Sequence, residues 1–278
     1  MRFEDKDVEN VGSSRKLYGI IAVFVMLGVV LSSITWFGKK VQDGTRSYVK
    51  GESIWSKAQK ETVINLLQYI RTENTDYYNT YMQTLGIIEG DRIGRESLLQ
   101  EKPDIGKAKA GFLQGGNDPE DIDALIWVMV NFSDLDQIQT AINIWENADN
   151  VTLELSRLAQ EVHVNVLDGG LTEKEKIDYA NQIFAYDNML TAKGTQFSMA
   201  MSSVSRTFNR YTFWLNSLTT IIFIVVAGYY VVSYMRHLRK AYGKLVRSQQ
   251  KFRNVLDHSR DVIYQIQIGS NKYDYMSS

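Results

Sequence analysis

The chain has 278 residues, with 31 Lys plus Arg against 32 Asp plus Glu, a formal net charge of −1. That balance excludes a strongly basic nucleic-acid binder and an acidic disordered tail, and zero cysteines exclude a disulfide scaffold, thiolate zinc sites and a Cys nucleophile. Three histidines leave little for a metal cluster, and two prolines beside a 44% hydrophobic content favour long helices over a loop-rich β fold.

Residues 1–16 form a short segment without net charge, ending on Arg15 and Lys16. Residues 17–37 (LYGIIAVFVMLGVVLSSITWF) then run uncharged for about 30 Å of helix, the thickness of bilayer hydrocarbon. The run is longer than the apolar region of a cleaved signal peptide. The following Ser-Ile-Thr-Trp-Phe-Gly-Lys-Lys also lacks a small-x-small cleavage site, so it reads as a retained anchor. A second uncharged run occupies residues 213–235. Trp36, Phe37, Phe213, Trp214 and Tyr234 sit at the ends of the two runs, where amphipathic rings favour the headgroup region. The alternative is a pair of buried core helices, but these are seldom apolar all round for such a length.

Residues 41–212 hold 16 Lys plus Arg and 25 Asp plus Glu, a net −9, whereas residues 236–278 carry a net +6. Arg236, Arg239, Lys240, Lys244 and Arg247 follow the second run with no acid among them, which places that flank in the cytoplasm. Two spans then put the N-terminus inside and residues 41–212 outside.

The outer segment reads as helical. Val63, Leu66, Ile70, Tyr77, Tyr81 and Leu85 form a loose seam. Ile138, Ile142, Trp145, Leu155, Leu158 and Val162 form another, and a regular four-three seam runs through Ile183, Asp187, Leu190, Gly194, Phe197, Met201, Val204, Phe208, Tyr211 and Leu215. Asn117 or Asp118 caps a helix opened by Pro119, and Thr172-Glu173-Lys174-Glu175 fits a capping box after a Gly169-Gly170 turn. With breaks near Gly86–Gly94 and Gly111–Gly116, four helices are predicted, the second near 91–110 being the most irregular. Amphipathic seams of this kind bury against one another in an antiparallel four-helix bundle. A helix of about 45 residues would extend nearly 70 Å, an elongated rod suited to dimerisation. The predicted fold is thus an all-α membrane protein with two transmembrane helices flanking an extracytoplasmic bundle.

Beyond the second span, Leu238, Tyr242, Leu245, Gln249, Phe252 and Leu256 continue the seam over residues 236–256, as a parallel coiled coil or as a basic helix lying on anionic lipid. Residues 251–278, KFRNVLDHSRDVIYQIQIGSNKYDYMSS, resemble the start of a PAS domain. Phe252 leads the helical turn, Asp257, Ser259 and Asp261 follow, and Val262–Ile268 with Tyr264 reads as the first strand before a Gly-Ser-Asn turn and a second strand. The match covers about a quarter of such a domain, so the chain reads as part of a longer protein. The order of parts resembles bacterial transmembrane sensor histidine kinases and their relatives that turn over cyclic di-GMP. The stretch from Asp104-Ile105-Gly106-Lys107 to Gly115-Gly116-Asn117-Asp118-Pro119-Glu120-Asp121-Ile122 resembles a segment of such ectodomains. The resemblance implies a multi-pass protein of the bacterial inner membrane, homodimeric, sensing an external small molecule or binding protein, and relaying it through small helix shifts. A sensor histidine kinase is the first reading; cyclic di-GMP turnover or chemoreceptor output, and a non-enzymatic adaptor that binds a protein partner, are the competing ones.

No catalytic motif, metal set or cofactor site is read from these residues. His163 lacks a second ligand one turn on, His237 is interfacial, and His258 lacks the acidic and proline residues of a phosphoacceptor box. Candidate ligand-binding residues are Arg71, Tyr78, Arg92 and Arg95, because guanidinium groups in acidic surroundings can receive a carboxylate. An ordinary surface pair of Arg71 with Glu73 or Asp76 is the alternative. Asp187, Gly194, Phe208, Leu238, Leu245 and Phe252 are the candidate signalling seam. Within it, Asp187 sets register and Gly194 permits close packing, or either marks a pocket.

Overall fold

Uninterrupted apolar periodicity and scarce proline produce very long helices. The computed structural model describes the backbone of residues 4–257, 264–266 and 273–276, and the side chains of residues 18–255. The helices are α1 Glu4–Thr72, α2 Thr75–Leu98, α3 Ile105–Gln114, α4 Pro119–Phe132, α5 Asp136–Leu167 and α6 Glu173–Asp257. Strands β1 Tyr264–Ile266 and β2 Tyr273–Met276 pair antiparallel, with Tyr264 opposite Met276.

The helix ends follow local chemistry. Asp118 caps α4, accepting the Glu120 N–H at 3.1 Å, with Pro119 in the first turn. Thr172 and Glu175 close a reciprocal capping box: the Thr172 N–H reaches Glu175 Oε2 at 2.8 Å and the Glu175 N–H reaches Thr172 Oγ1 at 3.3 Å. Gly169 and Gly170 take φ of 150° and 83° in the turn before it, a region that a Cβ disfavours.

Two compact units divide the chain: residues 1–29 with 217–278, and residues 30–216. The first contains most of both apolar runs. Each belongs to a helix long and apolar enough to cross a membrane, and the two apolar windows are 0% and 6% buried. Covering by the rest of the described chain does not account for them, so the buried-core alternative does not fit. Phe24 and Phe223 meet edge to face at 5.0 Å between the two helices.

The second unit holds two apolar cores. One is built by α1 (Trp55 to Ile70), α2 (Tyr81 to Ile88), α5 (Ala148 to Val162) and α6 (Tyr179 to Leu190). The other joins Tyr48 of α1, Leu98 of α2, Phe112 of α3, Leu125 and Met129 of α4, Ile138 of α5, and Phe197 to Val204 of α6. The α6 seam holds from Ile183 to Val204, Phe208 is half-buried, and Tyr211 and Leu215 are exposed.

The four helices anticipated between residues 41 and 212 are six, and the break expected at Gly86–Gly94 is absent. α2 passes through all three glycines, and the chain reverses instead at Glu73-Asn74, where Glu73 takes φ 57°. The glycines serve contact rather than turning. A Cβ on Gly90 would stand 2.7 Å from the Gly111 carbonyl, and one on Gly111 would stand 2.8 Å from the Gly90 carbonyl, so α2 and α3 touch backbone to backbone. The second irregularity falls at residues 99–104, between α2 and α3.

Candidate functional site

A buried polar cluster lies beside residues of both cores. On α2, the stripe Ile88, Asp91, Arg95 and Leu98 keeps helical spacing, so Asp91 and Arg95 are carried inward with their apolar neighbours, at 4% and 5% exposure. On α5 the stripe Ile142, Trp145, Asp149 and Thr152 does the same for Asp149, also 4% exposed. Arg95 Nη2 donates to Asp149 Oδ2 at 2.7 Å, and the guanidinium lies 5.8 Å from the Trp145 ring centre. Arg95 Nε and Asp149 Oδ1 have no hydrogen-bond partner among the described residues. Burial outweighs the Arg95 charge and lifts the Asp149 carboxyl to about 6.

Asp91 accepts a hydrogen bond from Asn117 Nδ2 at 2.6 Å, and that amide also donates to the Phe112 carbonyl at 3.1 Å. Burial, with the Asp149 charge adding to it, pushes the Asp91 carboxyl well above the usual range. Tyr48 donates to the Leu125 carbonyl at 3.0 Å, and burial raises its hydroxyl above the ordinary phenol range.

Tyr48, Asp91, Asn117 and Trp145 border one cavity. Tyr48, Glu52 and Trp55 come from α1, Asp91 from α2, Asn117 from the loop before α4, Trp145 from α5, and Lys193, Gly194 and Phe197 from α6. Its volume is about 40 Å³. Trp55 is 6% exposed, yet its Nε1–H finds no acceptor among the described residues. A Cβ on Gly194 would meet Glu52 Oε1 at 2.9 Å and Ser56 Oγ at 3.1 Å, so the glycine lets α6 approach α1 at the cavity wall. Asp187, two turns earlier, binds Gln59 Nε2 and Lys60 Nζ, each at 2.7 Å, which fixes the register of the two helices there.

The four residues chosen from sequence do not form one site. Arg71 is exposed at the end of α1. Tyr78 is half-buried and stacks on His163 at 3.8 Å, while His163 Nδ1 shares a 2.7 Å hydrogen bond with the Tyr69 hydroxyl. Arg95 lies almost five turns further along α2 than Tyr78, about 25 Å at the α-helical rise, and is already engaged by Asp149. Arg92 is half-buried and 3.9 Å from Glu89. Asp91, Asp149 and Trp55 are not picked out from sequence, where Trp145 reads only as a seam residue and Asn117 only as a cap. The available signal was a charge standing at a buried phase of an apolar stripe, as it does at Asp91 and Asp149.

In the candidate seam, Leu238, Leu245 and Phe252 are exposed. For the PAS-start residues, Phe252 is helical and the Tyr264 backbone is in β1, while Asp261 lies outside the described residues, as does His258. Among the described residues no group of three or more His, Cys, Asp or Glu can hold a metal ion. Comparison with known proteins returns no matching family model, no matching curated protein and no matching solved structure.

The class these observations define is an all-helical chain with two helices long and apolar enough to cross a membrane.

Proposed function

We propose that the chain is the sensory input part of a transmembrane receptor, a two-component sensor histidine kinase in its overall plan. Residues 41–212 form the extracytoplasmic sensor, built as two helical bundles that share α1, α2, α5 and α6. The observation that carries this reading is α6, one unbroken helix from Glu173 to Asp257. It supplies Lys193, Gly194 and Phe197 to the cavity, then the second apolar run, then the basic segment with Leu238, Leu245 and Phe252. A ligand that alters how α6 packs on α1 at Gly194 acts on the same continuous helix that leaves the second span. The seam Leu238, Leu245 and Phe252, 45% to 67% exposed, is covered in this reading by the same seam of a second copy. The antiparallel β1–β2 pair fits the hairpin expected at a PAS start.

The test uses the cysteine-free chain in lipid vesicles, with single cysteines at Leu238, Leu245, Lys240 and Arg247. Oxidative crosslinking should be fast at Leu238 and Leu245 and slow at Lys240 and Arg247, and Gly194→Val should change the fast rates. Equal rates at all four positions sink the coiled dimer. Seam rates that ignore Gly194→Val sink the relay.

A further inference from the structure

Asp91 is 4% exposed at the cavity wall, and its one hydrogen bond comes from a neutral amide. No Lys, Arg or His among the described residues forms an ion pair with it, in contrast to Asp149, which holds Arg95 at 2.7 Å. A carboxyl taken out of water without a cation is costly, and burial has accordingly pushed it well above the usual range. On the same cavity the Trp55 Nε1–H is a buried donor without an acceptor, and Lys193 is half-buried and in no ion pair among the described residues. The wall therefore presents two carboxyl groups, Asp91 and Glu52, the latter accepting from the Ser56 hydroxyl at 2.6 Å, together with the Lys193 ammonium and the Trp55 indole. Tyr48, Trp145 and Phe197 also line the cavity, and aromatic faces favour an ammonium.

We propose that this cavity takes a small zwitterionic amine, an α-amino acid in its chemistry. The ammonium lies against Asp91 and the aromatic faces, and the carboxylate is directed to Trp55 Nε1–H and Lys193. A carboxylate alone leaves Asp91 uncompensated, and a simple alkylammonium leaves the Trp55 donor unmet. The cavity has room for more than one water, and so for a small ligand such as glycine or alanine. Gly194 supports this placement, since any side chain there would intrude on Glu52 and Ser56 beside the cavity. The inference rests on reading residues 41–212 as the sensor.

The experiment is isothermal titration calorimetry on the full chain in lipid nanodiscs, with L-alanine, propionate and ethylammonium as probes. Alanine should bind saturably at one site per chain, and the other two, each carrying half of the ligand, about tenfold or more weakly. Asp91→Asn, which keeps the shape and the Asn117 contact, should weaken alanine binding about tenfold or more. Trp55→Phe, which keeps a ring and removes the donor, should weaken it about fivefold. Circular dichroism checks both folds, and the tryptophan variant decides alone if Asp91→Asn does not fold. Propionate binding as tightly as alanine, an unchanged isotherm in the deciding variant, or no heat with any probe overturns the proposal. Binding is measured without any relay, so a failed isotherm leaves the crosslinking result standing, and a failed relay leaves an alanine isotherm standing.

Discussion

At the scale of single residues, the buried charges decide most. Arg95 and Asp149 are taken out of water as a pair, so removing one partner strands the other. Asp149→Ala is expected to destabilise the protein by about 3–5 kcal/mol, read from urea denaturation in detergent by circular dichroism. Arg157→Ala, in an exposed i,i+3 pair with Glu154, should change it by less than about 0.5 kcal/mol. Asp149 also sets a pH dependence. Its carboxyl is raised on folding, so the folded form favours the proton, and its contribution to stability is full below the ordinary value of 3.8 and lost as pH climbs to about 6. Between those limits the unfolding midpoint of the native chain should fall more steeply with rising pH than that of Asp149→Asn. Parallel profiles would show that Asp149 does not titrate in that window.

At the scale of elements, the glycines of α2 separate two roles that look alike in sequence. A Cβ on Gly86 would have nothing within 4 Å, so Gly86→Ala should stabilise the helix by about 0.5–1 kcal/mol through backbone entropy. Gly90 faces the α3 backbone, and Gly90→Ala should cost about 1–3 kcal/mol as the two helices are forced apart. Urea denaturation of the two variants checks the difference in sign. The same comparison explains why the expected break failed. Glycine is a poor helix former, and a cluster of them reads as a turn until a facing helix is known to require their bare backbone. The capping box at Thr172 and the Asp118–Pro119 start were legible because their partners lie within three residues.

At the scale of the whole molecule, the net charge of −1 is the sum of +2 from Lys39 and Lys40, an acidic stretch of net −9 at residues 41–212 and a basic one of net +6 at 236–278, with an uncharged run between the last two. That asymmetry predicts a topology. In right-side-out membrane vesicles, a cysteine at Lys174 should react with an impermeant maleimide, and one at Arg247 should react only after permeabilisation; both native residues are exposed. Labelling of Arg247→Cys in intact vesicles would reverse the assigned orientation.

The sequence by itself determined what depends on near neighbours: both apolar runs, the three-four seam of α6 from Ile183 to Val204, the helix starts at Pro119 and Thr172, and the division of charge. Periodicity, capping and transfer of apolar groups out of water act over a few residues, so they are written locally. Only the tertiary structure decided that Arg95 meets Asp149, that Asp91 meets Asn117, and that Trp55 and Gly194 share a cavity with Asp91 and Asn117. Those residues lie on different helices or in the loop before α4, and what joins them is the packing of apolar stripes. A polar residue on a stripe is buried with it, and its partner is whichever group the facing helix carries to the same level.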